Sequence, residues 1–251
     1  MKRHRYQGVI QIVRFNWHQY VVGATVCTAA GWVWWRVPLP APLGMLLGAG
    51  AGLAVFWLLT SLIVSHYVYD LSGFGSWDWV GSLFPIPPDH WASIHCGFDE
   101  TSSQLKRVFP NTRYLVLDIF DGDTMTEPSI RRARRYDTHA PIARRARFDN
   151  LPVEGGQMAA VFVLFAAHEL RDRRARRAFF CELYRALAPG GRLLLVEHLR
   201  DAWNFLAFGP GCWHFLPRGE WMERASEPGF RVEQELRKTP FVRVWLLRKD
   251  G

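Results

Sequence analysis

Residues able to carry acid–base chemistry follow the apolar runs of this 251-residue chain. His168 and Glu169 come directly after the run 158–165, and Glu197 and His198 end the run 192–198. His214 lies in an aromatic, glycine-rich stretch, residues 203–215. An imidazole titrates near neutral pH, so a histidine can move a proton at a substrate. We therefore predict His168 and His214 as catalytic residues; the alternative for each is an ordinary surface or core histidine.

The stretch 91–121 has the order of a nucleotide-binding unit. An apolar run meets Gly97, a helix-like segment follows, and a second apolar run, 114–117, ends in Asp118. In open α/β sheets such a glycine lets the backbone approach the ligand, and the acid accepts hydrogen bonds from ribose hydroxyls. A capping box of Thr101 and Gln104 predicts where the intervening helix begins.

The remaining elements must place these groups at one edge of a sheet. The run 158–165 is continuously apolar, as in a strand buried on both faces, and 192–198, with the apolar core 193–196, is predicted as another buried strand. Residues 172–187 have helical spacing. Residues 230–236 and 241–248 alternate as two edge strands paired antiparallel. Alternating strands and helices predict an α/β domain with a parallel sheet covered on both faces.

Two apolar segments precede this domain and predict a transmembrane helical hairpin over residues 17–66. The second segment, 41–64, has no charge and is long enough to cross a bilayer, whereas the first, 20–35, is marginal. A cleaved signal peptide would explain only the first. Basic residues before the hairpin place the N-terminus, and hence the later domain, on the cytoplasmic side of an inner (cytoplasmic) membrane. The predicted divisions are a basic segment 1–16, the hairpin 17–66, a connector 67–88 and the domain 89–251.

Charge and cysteine usage restrict the partners. The net charge of +8 favours an anionic partner. Seven arginines between positions 131 and 147 form either a solvated basic helix or a surface for anionic lipid headgroups. Nucleic acid is not expected, because no aromatics interleave with these arginines. Four cysteines without CxxC spacing predict neither a metal site nor a disulfide framework. Glycines 44, 48 and 52, at four-residue spacing, could pack helices and support a homo-oligomer through the hairpin.

The segments LPVEGGQMAAVFVLFAAHEL and ELYRALAPGGRLLLVEH resemble class I S-adenosylmethionine-dependent methyltransferases. The resemblance covers residues 91 to 251. It implies a Rossmann-like methyltransferase fold, which is a mostly parallel seven-stranded sheet with an antiparallel last strand. It also implies S-adenosylmethionine as the cofactor. The cofactor-binding residues that it implies, or that would replace the family's missing glycines, are His95, Gly97, Glu100, Thr101, Asp118, Ile119, Phe148, Asp149 and Phe165.

The glycine-rich turn departs from the family pattern. Where the family resembles D-x-G-x-G-x-G, this chain has Ser93, His95, Gly97 and Asp99, so one glycine remains. The expected function is a membrane-anchored methyltransferase acting on a hydrophobic or amphiphilic small molecule or lipid, bound by Glu169, Trp203, Phe205 and Trp213. The eroded turn motivates an alternative, a catalytically inactive methyltransferase-like binding module. A nicotinamide-dependent oxidoreductase is disfavoured by the missing GxGxxG.

Overall fold

The computed structural model describes residues 4–99, 101–136 and 142–251. Its helices are α1 (Gln7–Arg36), α2 (Ala41–His66), α3 (Asp78–Leu83), α4 (Ser102–Val108), α5 (Pro128–Arg134), α6 (Arg173–Ala186), α7 (Ala202–Phe208) and α8 (Arg218–Ser226). Its strands are β1 (His90–His95), β2 (Arg113–Asp118), β3 (Arg144–Arg145), β4 (Met158–Leu164), β5 (Leu187–His198), β6 (Phe230–Thr239) and β7 (Val242–Lys249). A π-helical turn, Tyr67–Leu71, extends α2.

The seven strands form one sheet in the order β3-β2-β1-β4-β5-β7-β6. Strands β1 to β5 pair in parallel, and β7 runs antiparallel to both β5 and β6. The predicted Rossmann-like sheet and its antiparallel edge pair are confirmed. Because the first five strands are parallel, their carboxyl ends meet at one edge, where the polar residues singled out in the sequence come together.

Two apolar clusters cover the two faces of the sheet. On one face, Phe179, Phe180 and Trp221 from α6 and α8 pack against the strands. On the other, the connector after α2 supplies Phe74, Trp77 and Phe84, each no more than 4% exposed. The connector is therefore part of the domain core, and these side chains do not lie at a membrane interface.

Helices α1 and α2 lie side by side as an antiparallel pair. Tyr20 and Ser61 join them through their hydroxyls, 3.4 Å apart, and the lack of a side chain at Gly48 lets Trp34 pack against α2. At the open end of the pair, Asp70 accepts hydrogen bonds from the Gly8 and Val9 amides at the start of α1. Gly48 thus serves a contact within the chain.

Within the described residues, one helical stretch, Ala41–Leu71, is long and apolar enough to cross a membrane. Helix α1 does not meet that test, and it begins at Gln7, ahead of the predicted first segment. Its sequence explains the difference: Gln11, Asn16 and Gln19 place amides along the helix. Helix α1 is also kinked at Asn16, where the freed carbonyl of Phe15 accepts a hydrogen bond from Arg132 of α5 at 2.7 Å.

Candidate active site

A cavity of about 820 Å³ lies between the carboxyl edge of the sheet and the α1–α2 pair. The sheet contributes the last residues of β1 and β5, His95 and His198, and Phe165, which directly follows β4. The helical pair contributes both polar and apolar side chains, including Gln19, Tyr20, Trp57 and Leu58. The volume is that of a small-molecule site, and one space connects the strand ends with the N-terminal helices.

His168 is held by a buried carboxylate. It lies in a short 3-10 turn, Ala167–Glu169, that follows β4. Its Nδ1 donates to Glu197 Oε2 at 2.6 Å, and Glu197 Oε1 accepts from the amides of Ala167 and His168. Glu197 is fully buried at the end of β5, so the β4–β5 pairing fixes the imidazole in one orientation.

Glu169 and His214 approach the other side of His168. Glu169 Oε1 lies 3.5 Å from His168 Nε2 and 4.0 Å from His214 Nε2. Glu169 Oε2 is buried without a hydrogen-bond partner among the described residues. The rings of His168 and His214 meet edge to face at 5.1 Å. The two predicted catalytic histidines therefore lie together on the cavity.

His168 differs in protonation from His198 and His214. Burial favours the neutral form of His168, but Glu197 and Glu169 outweigh it and raise its pKa to about 10. Burial lowers the pKa of His198 to about 4, and burial with the nearby His168 charge lowers the pKa of His214 to about 4. His198 Nδ1 donates to the Phe241 carbonyl at 2.9 Å, so its Nε2 accepts from the Tyr69 hydroxyl at 2.7 Å.

The turn after β1 adopts the conformation that a glycine allows. Gly97 has φ +104°, and its amide donates to His95 Nδ1 at 3.0 Å. The carboxylate of Asp99 accepts from the amides of Thr101 and Ser102 and so caps α4. The predicted capping box is wrong, because the Thr101 side chain makes no capping hydrogen bond. Glu100 lies outside the described residues.

Arg134 covers the acid at the end of β2. Asp118 Oδ1 accepts from the Phe120 amide, and Oδ2 lies 2.8 Å from Arg134 Nη1. The Arg134 side chain also stacks on the Phe120 ring, 4.2 Å from its centroid, and a Cβ at Gly97 would collide with it. Asp118 consequently does not line the cavity in this conformation.

The predicted site residues divide into two groups. Besides the two catalytic candidates, five residues with described positions line the cavity: His95, Thr101, Phe165, Glu169 and Trp213. Seven do not, and these include Gly97 and Asp118. Ile119 is buried in the core, Phe148 packs against it, Asp149 pairs with Arg147, and Trp203 and Phe205 are 47% and 41% exposed. The aromatic stretch forms α7 and a 3-10 segment instead of an open loop, and this turns Trp203 and Phe205 outward.

Two side chains important to the site were not predicted to act there. Arg134 belongs to an arginine-rich stretch in which no residue stands out by sequence. Glu127, with Oε1 3.6 Å from His214 Nδ1, precedes a proline at the start of α5 and resembles a helix terminus in the sequence. Tyr69 also reaches the site from the connector, and its hydrogen bond with His198 depends on the connector packing against the sheet.

The comparisons with known proteins agree with this geometry. A family described as "Methyltransferase domain" matches residues 93–195, which run from β1 into β5. Over these residues the chain is similar to methyltransferase domains, in agreement with its sheet order. S-adenosylmethionine is the methyl donor that the sequence resemblance implies for such a domain.

Two curated relatives match mainly over the same domain. The chain is 31% identical over 163 residues to a protein of Hahella chejuensis named malonyl-[acyl-carrier protein] O-methyltransferase, covering 62% of this chain and 55% of that protein. It is 24% identical over 156 residues to a protein of the same name from Alcanivorax borkumensis, covering 59% and 51%. The chain thus spans about half the length of these relatives.

A solved structure shares the fold. A SAM-dependent methyltransferase from Aquifex aeolicus superposes with a TM-score of 0.52 at 15% identity, over 68% of this chain and 88% of that one. At this identity the likeness concerns the fold alone.

The residues present fit the donor, provided that one side chain moves. Gly97 supplies the left-handed turn that brings backbone close to a ligand, and Asp118 follows it on the neighbouring strand, paired with His95. The cavity reaches this region through Cys96, Phe98 and Thr101. Arg134 occupies the space over Gly97 and Asp118, and its side chain is partly exposed and flexible, so it can be displaced.

Proposed function

We propose that this protein is a membrane-associated methyltransferase that methylates an oxygen of a hydrophobic or amphiphilic small molecule or lipid. One observation carries the proposal: a single cavity is lined by the strand ends of a methyltransferase domain and by the α1–α2 pair. An acceptor that reaches the strand ends through this space contacts the N-terminal helices on the way. The helices are then part of the acceptor site as well as an anchor.

The exposed faces of the helices support the membrane association. On α2, Leu46, Phe56 and Ile63 belong to a long exposed apolar surface, which in a water-soluble monomer would be unfavourable. Helix α1 exposes Trp32, Trp34 and Trp35 at its far end, where interfacial aromatics anchor a helix. We propose that the pair inserts into the cytoplasmic membrane with the catalytic domain on the cytoplasmic side and its arginines near anionic headgroups.

In this proposal, Asp118 and the Gly97 turn hold S-adenosylmethionine, which supplies an electrophilic methyl group when bound. Asp118 accepts hydrogen bonds from the ribose hydroxyls once Arg134 has moved, and His95 and Thr101 lie on the adjoining wall of the cavity. Methyl transfer depends chiefly on alignment, worth up to about 7–11 kcal/mol in ideal cases. The chain aligns the donor with the acceptor because the residues that would hold each of them follow strands of the same sheet, at its carboxyl edge.

The acceptor end combines a polar cluster with an apolar wall. His168, Glu169 and His214 would hold the polar head and the reacting oxygen of the acceptor. Phe165 and Phe215 both stack on the His198 ring, at 4.8 and 4.9 Å between ring centroids, and form an aromatic stack beside the cluster. The apolar part of the acceptor would lie along α1 and α2.

The names of the relatives favour a second acceptor class, an acyl group on a carrier protein. A methyl-transfer assay separates the two. The full chain in lipid nanodiscs is incubated with methyl-labelled S-adenosylmethionine, a membrane lipid extract and malonyl-loaded acyl carrier protein. We expect label in the organic phase, and none with Asp118→Ala. Label confined to the carrier-protein fraction would refute the lipid acceptor, and folded protein that transfers no label to either would refute the proposed function.

A further inference from the structure

The cluster His168–Glu169–His214 has the arrangement of a metal site. Each residue offers one ligand atom, and the three atoms lie within 4.8 Å of one another. They come from two segments: His168 and Glu169 follow β4, and His214 ends the 3-10 segment after α7. All three line the cavity, so the space between them opens to ligands.

The imidazole of His168 is oriented for coordination. Its Nδ1 donates to Glu197 at 2.6 Å, so Nε2 faces Glu169 and His214, and a metal ion would take the place of the Nε2 proton. Histidines that bind metals commonly donate their other ring nitrogen to a carboxylate, which fixes the tautomer and the ring orientation. Glu197 is fully buried and held by two backbone amides, so this support is rigid.

The unpaired carboxylate oxygen of Glu169 supports a metal site independently of the spacing of the three ligand atoms. It is only 8% exposed, and its Oε2 has no hydrogen-bond partner in the part of the chain that the structure describes. Buried carboxylate oxygens are normally satisfied, so an orphan of this kind requires an explanation. Its Oε1 lies 3.5 and 4.0 Å from the two imidazoles, too far for strong hydrogen bonds but a suitable spacing for donors around a shared cation.

We propose that His168, Glu169 and His214 bind a divalent transition-metal ion of the zinc class, with Glu197 positioning His168. Two imidazoles and one carboxylate form the donor set of catalytic zinc sites and leave a coordination position open. Magnesium and calcium prefer all-oxygen sites and fit this set poorly. The open position faces the cavity, so an oxygen of the acceptor completes the coordination; this last step rests on the proposed function, whereas metal binding does not.

Calorimetric titration of the full chain tests the site. Tag-free protein in detergent is stripped with chelator and titrated with Zn²⁺ and, separately, with Mn²⁺, as the metals alone. We expect one Zn²⁺ per chain, and Zn²⁺ tighter than Mn²⁺. Glu197→Gln should weaken Zn²⁺ binding about 10- to 100-fold, as loss of an outer-shell carboxylate does. Glu169→Gln and His214→Ala, which remove ligands, should weaken it more.

His90→Ala is the matched control, because His90 begins β1 at the opposite end of the sheet; its Zn²⁺ affinity should equal that of the wild type. Thermal melting confirms that each variant is folded, and Glu169→Gln nearly preserves side-chain volume. Absence of stoichiometric Zn²⁺ binding to folded wild type would overturn the inference, as would binding that Glu169→Gln and His214→Ala leave unchanged. The affinity for S-adenosylmethionine is measured in parallel. Protein that binds S-adenosylmethionine but not Zn²⁺ would refute the metal site alone, whereas protein that binds Zn²⁺ but not S-adenosylmethionine would refute the proposed function alone.

Discussion

Replacing Arg134 should strengthen donor binding, because this side chain covers the groups that the donor needs. Its ion pair with Asp118 is partly buried, with side chains 24% and 12% exposed, and is worth about 1 kcal/mol. Its stacking on Phe120 adds about 0.5–1 kcal/mol. A donor that displaces Arg134 loses both contributions. Since about 1.4 kcal/mol corresponds to a tenfold change in affinity, Arg134→Ala should tighten the dissociation constant about 10- to 30-fold.

Titration of S-adenosylmethionine into the full chain in detergent measures this change. Arg131→Ala is the matched control, because Arg131 lies on the same short helix and, among the described residues, its side chain donates only to the Gly122 carbonyl, at 3.4 Å. This variant should bind the donor like the wild type. Donor binding that is unchanged or weaker in Arg134→Ala would refute the reasoning. A weaker value would mean that Arg134 itself contacts the donor.

Three further changes have defined outcomes. Asp70→Ala removes the cap of α1 and should cost about 0.5–2 kcal/mol, seen as a lower melting temperature, whereas exposed Asp123→Ala should have no effect. Gly97→Ala introduces a side chain at φ +104° and should lower both stability and donor affinity; Gly122→Ala meets only ordinary contacts and is its control. Because the neutral form of His198 is favoured in the fold, with a pKa of about 4, acidification from pH 6.5 to 5 should destabilise the wild type by about 2 kcal/mol more than His198→Gln, measured by urea unfolding.

Each of these outcomes can fail independently. An unchanged melting temperature of Asp70→Ala would mean that the start of α1 does not contribute to cooperative unfolding. Wild-type donor affinity in Gly97→Ala would place the donor away from this turn. Equal pH slopes for wild type and His198→Gln would show that this imidazole can be protonated in the folded protein without loss.

The sheet was predictable because its signals are local. The run that forms β4 is apolar at every position, and β5 has the apolar core 193–196, which marks strands buried on both faces. Parallel pairing then brings His168 and Glu169 to the carboxyl edge. The Gly97–Asp118 unit was visible for the same reason. The hydrogen bond between the side chains of His168 and Glu197 could not be predicted, because it depends on the register of β4 and β5 and joins residues 29 positions apart in sequence.

The helices around the site were harder to predict, because their environment decides their role. The amides of α1 lower its hydropathy, and only the folded structure shows that Gln19 lines the cavity. The aromatic stretch that reads as a loop forms α7 because Asp201 caps it, accepting from the Asn204 amide, and Trp57 of α2 packs against Phe205. Arg134 could not be singled out among seven neighbouring arginines, since its partner is 16 residues away in sequence.

The central claim, that the helical pair forms part of the acceptor site, is tested most directly by filling the cavity from α2. Ala54 lines the cavity, and Leu46 on the same helix is 69% exposed. We predict that Ala54→Trp raises KM for the acceptor in the membrane lipid extract at least about tenfold, the effect of losing roughly 1.4 kcal/mol of binding free energy. Donor affinity should stay unchanged. The control variant Leu46→Trp should have the same KM as the wild type. An unchanged acceptor KM in folded Ala54→Trp protein would contradict the account.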